Sequence, residues 1–260
     1  MPKFLRELVE YRELLYVFTA RNIKIKYKQS IMGFLWAIFM PVIIVLSGIM
    51  VKKAMAVLSG KPLELESIVS VSVKALPWGF FIQSLKFSVS SLVNNMNLVK
   101  KIYFPKVVFP LSYILSQFFD FIVATAAFTV MFIIARIGIS IHILWFPFMI
   151  LLLVMLAAGL GMILSCANLY FRDVRYIVDV ILTFGIFFTP VFYEASMFSF
   201  GNILLLNPVG AILENINNIV VLHQAPNFIW LTYAAVWAFV TFFWGWSFFH
   251  KKEPTFAEFI

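Results

Sequence analysis

Charge is scarce in this chain. Asp, Glu, Lys and Arg make up 12% of its 260 residues, against roughly 25% in a soluble domain, which excludes an ordinary water-soluble fold. Cysteine is almost missing: Cys166, within Leu164-Ser165-Cys166-Ala167-Asn168, is the single one, ruling out an intrachain disulfide and a cysteine-based zinc site. Neither a G-x-x-x-x-G-K-[ST] loop nor a G-x-G-x-x-G turn occurs, so the chain lacks the means to bind nucleotide by itself. His142, His223 and His250 are scattered, without the spacing of metal ligands. No serine stands in a nucleophile elbow. The sequence therefore carries no metal site, no cofactor site and no catalytic centre.

What remains is apolar. Hydrophobic residues reach 63% and aromatics 18%, in long runs rather than the ten-residue alternating segments of a membrane barrel. The class is an all-α polytopic membrane protein. Arg21, Lys24, Lys26 and Lys28 form an interfacial basic cluster that leads directly into an apolar run from Ile31 to Val51. About 20 apolar residues suffice to cross the hydrocarbon core. Six spans are expected, at 31–52, 68–93, 108–136, 142–168, 176–196 and 228–249. A polar, charged stretch of about 30 residues before the first span is unlike a cleavable signal.

The formal charge of +8 is explained by orientation. Of the 20 Lys and Arg, Lys74 and Lys86 fall within a span, and Lys52, Lys53, Lys61 and Arg136 fall outside. The other 14 lie in segments that share a side with the N-terminus. Positive residues mark the cytoplasmic face, so both termini are cytoplasmic and the basic excess does not indicate nucleic acid.

Residues 1–30 are expected to form an amphipathic helix on the cytoplasmic face, with Leu8, Tyr11, Leu15 and Phe18 along one side. The transmembrane domain takes 31–250, and 251–260 is a cytoplasmic tail. Pro77 and Gly79 imply a kink in the second span, where Lys74 and Lys86 must snorkel or face a wet interior. The segment Asn94–Pro105 mixes asparagines, apolar residues and two lysines, which predicts a short helix presented to the cytoplasm. A second cytoplasmic loop, Asn168–Tyr176, is dense in polar residues. The apolar pieces of 197–227, broken by Gly201, Asn207, Pro208, Gly210 and Pro226, are each too short to cross. They read as short re-entrant or interfacial helices.

Two chemistries are available inside the membrane. Asp120 and Asp179 fall within spans three and five, as a proton relay or as packing acids paired with lysines. Trp36 and Phe39 on span one, with Phe184, Phe188 and Tyr193 along span five, offer rings that can stack on sugars.

The strings Glu13-Leu14-Leu15, Arg21–Ser30, Gly33 and Trp36 resemble the start of type-two ABC export permeases for polysaccharides. The resemblance continues in order through Leu76-Pro77-Trp78, Asn97–Lys101, Tyr103-Phe104-Pro105, Phe171–Val174, Thr189-Pro190-Val191 and Asn207-Pro208, spanning nearly the whole chain. The family often has an aspartate where Asn22 stands, and an arginine-bearing segment where this chain has Glu214 and Asn215.

The resemblance implies a homodimer in a bacterial inner membrane that exports a lipid-linked polysaccharide such as O-antigen or teichoic acid. Two copies of a separate ATPase chain, which hold the ATP and Mg, would dock on its cytoplasmic face. It further implies coupling through Asn97, Leu98, Lys100 and Lys101, with a second contact at Arg172 and Asp173. The substrate path would be lined by Trp36, Phe39, Phe184, Phe188 and Tyr193, with 197–227 as the external gate. A proton-coupled flippase or carrier, a permease for a smaller lipid or drug, and a membrane-embedded transferase remain open from the residues alone.

Overall fold

Ten α-helices dominate the computed structural model, which describes residues 6, 9–28, 30–60, 65–101, 104–134, 138, 140–197, 199 and 201–258; no strand occurs among them. They are α1 (Arg12–Lys28), α2 (Trp36–Ser59), α3 (Leu65–Val89), α4 (Met96–Lys101), α5 (Val108–Ile134), α6 (Phe146–Tyr170), α7 (Val174–Phe188), α8 (Gly201–Leu204), α9 (Pro208–Val220) and α10 (Phe228–Lys252). Leu8 and Tyr103, and the side chain of Lys101, lie outside the described residues.

Among the described residues, five helical segments are long and apolar enough to cross a membrane: Gly33–Leu58, Glu66–Val89, Val108–Ile134, Ile141–Tyr170 and Phe228–Phe256. They coincide with five of the six expected spans. The first runs past its expected end at residue 52, because apolar residues resume at Ala54, and it stops only where Gly60 adopts a left-handed φ of 67°. The expected span 176–196 differs more. Its helix, α7, has 15 residues, which at about 1.5 Å per residue gives roughly 22 Å, short of a core of about 30 Å. Pro190 is the cause, since a proline disfavours helical backbone in the residue before it; Thr189 is extended at φ −116°, ψ 133°.

Helix α1 lies along α5. Phe18 and Asn22 are the buried residues of its inner face, and Leu14 and Leu15 of the same helix, with Tyr11 just before it, pack against the core. The Phe18 ring stacks on Phe104 at 5.9 Å and meets Phe109 edge-on at 5.2 Å. The stripe expected from spacing is therefore covered by protein over this stretch, not by lipid alone.

The most extensive helix pairing joins α6 to α10. Without a hydrophobic drive between helices in lipid, close approach depends on small residues, and Gly159 and Gly245 supply it. A Cβ on Gly159 would sit 2.4 Å from the Thr241 carbonyl oxygen, and one on Gly245 would sit 2.4 Å from the Gly159 carbonyl oxygen. Gly159→Val is expected to destabilise the protein by about 1–3 kcal/mol through overpacking, seen as a lower melting temperature in detergent. Gly79→Ala is the control, because a Cβ there meets only Ile44 Cδ1 at 3.8 Å. Equal melting of the two variants would refute the close crossing.

The segment expected to be short helices contains α8 and α9, of 4 and 13 residues. Asn207 caps α9, its side chain accepting from the Val209 N–H at 3.1 Å, and Pro208 occupies the first turn. Helix α9 packs against α3, α6 and α10, burying Ile212, Ile216 and Ile219. The residues read as a tail also have a place: Glu253–Glu258 form a 3₁₀ turn, and Phe256 is buried edge-on against Phe249 at 5.3 Å.

Candidate functional site

Long helices separate two polar ends, and chain order assigns them. One end collects residues of the segments expected, from their positive charge, on the cytoplasmic side. Arg21 Nη2 donates to Asn95 Oδ1 at 2.7 Å, so the basic N-terminal helix is tied to the turn that introduces α4. Just beyond α4, the Lys106 N–H donates to Glu253 Oε1 at 2.7 Å. The Tyr170 hydroxyl meets Thr255 Oγ1 at 2.6 Å, and Lys252 lies over the Tyr170 ring. Helix α4 also contacts the Glu253–Glu258 turn. Of the expected coupling residues, Asn97 and Lys100 are exposed, Leu98 is half-buried, and Val99 is buried as the anchor of the helix. Arg172 and Asp173 are exposed at the start of α7, on the Tyr170 side of the molecule. The sequence pattern does not indicate that the C-terminal turn joins this surface, because Phe256 follows the polar stretch His250–Thr255 with no apolar periodicity leading into it.

The basic cluster divides by role. Lys24 and Lys28 are exposed. Lys26 pairs with Asp120 and also donates to Gln117 Oε1 at 3.1 Å, while the Tyr27 hydroxyl donates to the other Asp120 oxygen at 2.5 Å. Burial, and then the Asp120 carboxylate, push the Tyr27 hydroxyl well above its ordinary range, so it remains a donor. Asn22, where the resembling family often has an aspartate, is buried and donates to Ser112 Oγ at 3.1 Å. An amide suits a hydroxyl partner with no cation in this bond. Asp179 pairs with Lys86 at 2.5 Å. Each intramembrane acid of the sequence reading is thus engaged by a lysine.

Asp120→Asn is expected to loosen α1 from α5, raising proteolytic cleavage between the two helices. The charge-exchanged pair Lys26→Asp with Asp120→Lys should restore protection. Cleavage unchanged by Asp120→Asn would show that the triad does not hold α1 down.

At the opposite end lies a buried ionic group that joins four parts of the chain. Lys74, on α3, is fully buried, donates to the Tyr193 carbonyl at 2.6 Å and pairs with Glu214 Oε2 on α9 at 3.5 Å. The other Glu214 oxygen accepts from the Ala195 N–H at 3.2 Å. Lys52, on α2, pairs with Glu194 at 3.4 Å. Next to this group, Asn207 Nδ2 donates to Thr189 Oγ1 at 2.9 Å, which brings the Thr-Pro and Asn-Pro strings together in space. The Lys74–Glu214 pair spans 140 residues of chain, and no local spacing signals it.

The five aromatic residues expected along a substrate path occupy three places. Trp36 and Phe39 meet edge-on at 5.6 Å, and Trp36 lines a cleft of 300 Å³ with Lys26, Tyr27, Gln117 and Asp120. Phe184 and Phe188 line another cleft, of 690 Å³, between α3, α6 and α7. Trp78, which enters the sequence reading only within the Leu76-Pro77-Trp78 string and not as a path residue, lies in that second cleft, its indole Nε1 buried and without a hydrogen-bond partner among the described residues. Tyr193 stands apart, its hydroxyl donating to the Phe187 carbonyl at 2.8 Å. Along α7, Ile177, Ile181, Phe184 and Phe188 are all exposed. Their i, i+4, i+7, i+11 spacing makes one continuous stripe.

The profile of the family described as ABC-2 type transporter matches residues 13–221. An O-antigen export system permease protein, RfbA, of Myxococcus xanthus is 28% identical over 262 aligned residues, covering 99% of both chains. Two proteins of the same description from Klebsiella pneumoniae are 25% and 24% identical, each alignment covering 95% of this chain and 94% of the relative.

Proposed function

The chain belongs to the ABC-2 type transporter family, and on that premise we propose that it is the membrane subunit of an ATP-driven polysaccharide exporter. Its cargo is a lipid-linked polymer, O-antigen above all, carried from the cytoplasm across the bacterial inner membrane. As a permease of this family the chain transports and does not hydrolyse ATP. The observation that carries the cargo assignment is the match, over almost the whole of both chains, to three O-antigen export permeases.

Two copies of the chain enclose the polymer path. In each, α7 together with the turn that follows Thr189 completes a sixth crossing, and 197–227 forms the re-entrant external gate. The exposed stripe of α7, with Phe184 and Phe188, faces the path together with Trp36 and Phe39 from the entrance of α2, and Tyr193 stands at the exit. Rings suit a sliding glycan because they hold sugar C–H faces without the directional bonds that would stall it. Two ATPase subunits, carrying ATP and Mg, dock on α4 and on Arg172 and Asp173. Their closure moves the cytoplasmic end where Arg21, Asn95, Lys106 and Glu253 are joined, and α1, held to α5 through Asp120, moves with it.

Deleting the chain from its host tests this. Lipid-linked polymer should accumulate on the cytoplasmic leaflet and disappear from the cell surface, and the wild-type chain should restore it. Surface polysaccharide unchanged by the deletion would overturn the cargo assignment.

A further inference from the structure

A polar cleft of 370 Å³ opens between α9, the segment around Glu194–Asn202 and the first turn of α10, a volume within the range of about 300–1,000 Å³ typical of small-ligand sites. Glu214, Asn217 and Asn218 share one face of α9 at i, i+3 and i+4, while Glu194, Asn202 and Trp230 contribute from the other elements. One atom marks the cleft as unfinished. Asn217 is 1% exposed, and its Oδ1 has no hydrogen-bond partner among the described residues. Neighbouring Asn215 shows the normal arrangement, its Oδ1 accepting from the Asn227 N–H at 2.6 Å and its Nδ2 donating to the Ala211 carbonyl at 2.9 Å. A buried acceptor left unpaired is costly, and Asn217 is one of the residues that line the cleft.

The cleft's chemistry selects the donor. Among the described residues no Lys or Arg lines it; Lys52 and Lys74, themselves buried, neutralise Glu194 and Glu214. Anions therefore find no counter-charge. Carboxylate and amide oxygens to accept hydroxyl protons, amide groups to donate in return, and a half-buried indole held edge-on by Tyr233 at 5.8 Å together match an uncharged pyranose.

We propose that this cleft is an external saccharide subsite, built on α9 and Trp230, that takes a neutral sugar unit of the exported chain as it leaves the path. The assignment rests on the polysaccharide-export reading. Sugar hydroxyls donate to Asn217 Oδ1 and the Glu194 carboxylate, Asn202 and Asn218 donate back, and Trp230 covers the C–H face.

The test is saturation-transfer NMR on the permease with its ATPase partner in nanodiscs, using methyl α-mannoside, methyl β-galactoside and glucuronate as probes. At least one neutral glycoside should give signal and glucuronate none. Asn217→Ala and Trp230→Ala should each weaken binding about tenfold, the loss of roughly one net interaction. Asn217→Asp, which keeps the acceptor, should bind, with monodisperse elution confirming the fold of each variant. The host's own polysaccharide, freed from its lipid, should displace the probe. Absence of signal from both neutral glycosides, equal binding by the alanine variants, or signal that persists against the polysaccharide would each overturn the subsite. Export by the wild-type chain, measured in parallel, reports separately on the export reading, so that loss of the subsite and loss of that reading are told apart.

Discussion

Replacing Lys74 by alanine is expected to be among the most damaging single changes in this protein, destabilising it by about 3–5 kcal/mol, the usual cost of breaking a buried ion pair from one side. The ammonium is fully buried and serves two acceptors at once, Glu214 and the Tyr193 carbonyl. Its removal strands a carboxylate that is itself only 15% exposed. The penalty belongs to the orphan more than to the lost pair. Lys74→Met combined with Glu214→Gln should therefore recover much of the loss, because the amide oxygen still accepts from Ala195 and no charge is left buried. Thermal unfolding in detergent, followed by intrinsic tryptophan fluorescence, reads the order: wild type, then the double variant, then Lys74→Ala. A double variant no better than the single one would show that the two residues do not act as a pair. Because the group also ties α2, α3, α9 and the Tyr193–Ala195 segment together, the single variant should lose external-gate integrity as well as stability.

The second large effect is expected at the opposite end. Lys100→Glu with Lys101→Glu should weaken docking of the ATPase roughly 100-fold, since like charges brought together at an interface cost several kcal/mol and each 1.4 kcal/mol is tenfold. Export should fall correspondingly. The fold should survive, because α4 is anchored by buried Val99 while Lys100 is exposed. Copurification of the ATPase with the variant, set beside the variant's own melting temperature, separates lost docking from lost folding. Undiminished copurification and export would remove α4 from the coupling surface. Because α4 contacts the Glu253–Glu258 turn, a partner docked on α4 would also meet that turn.

How far the sequence can be read depends on the range of the interaction. Apolar runs of 20 or more residues are local and imply a helix wherever backbone groups must be satisfied in lipid, so five long helices were legible. The breaks at Asn207-Pro208 and Thr189-Pro190 are equally local, and in the structure Asn207 caps α9. The bounds 176–196 overran the break at Thr189-Pro190: the apolar run continues beyond Pro190, but α7 stops at Phe188, a 15-residue helix within an expected 21-residue span. Charges inside spans were visible, but their partners were not. Lys74 could be seen to need a wet or paired environment, yet nothing in its neighbourhood points to Glu214, 140 residues away. Aromatic residues were the least informative class, because a ring at helical spacing looks the same whether it faces lipid, core or a cleft. Trp36 and Phe184 consequently line different clefts, and nothing in the Leu-Pro-Trp string says that Trp78 lies in the second of them.

The most direct measurement is ATP-driven movement of lipid-linked polysaccharide in proteoliposomes holding this chain and its ATPase, with the membrane proton gradient collapsed. The account predicts that polymer crosses the bilayer when ATP is hydrolysed and stops with a hydrolysis-deficient ATPase. Transport that continues without ATP hydrolysis and follows an imposed proton gradient would contradict it.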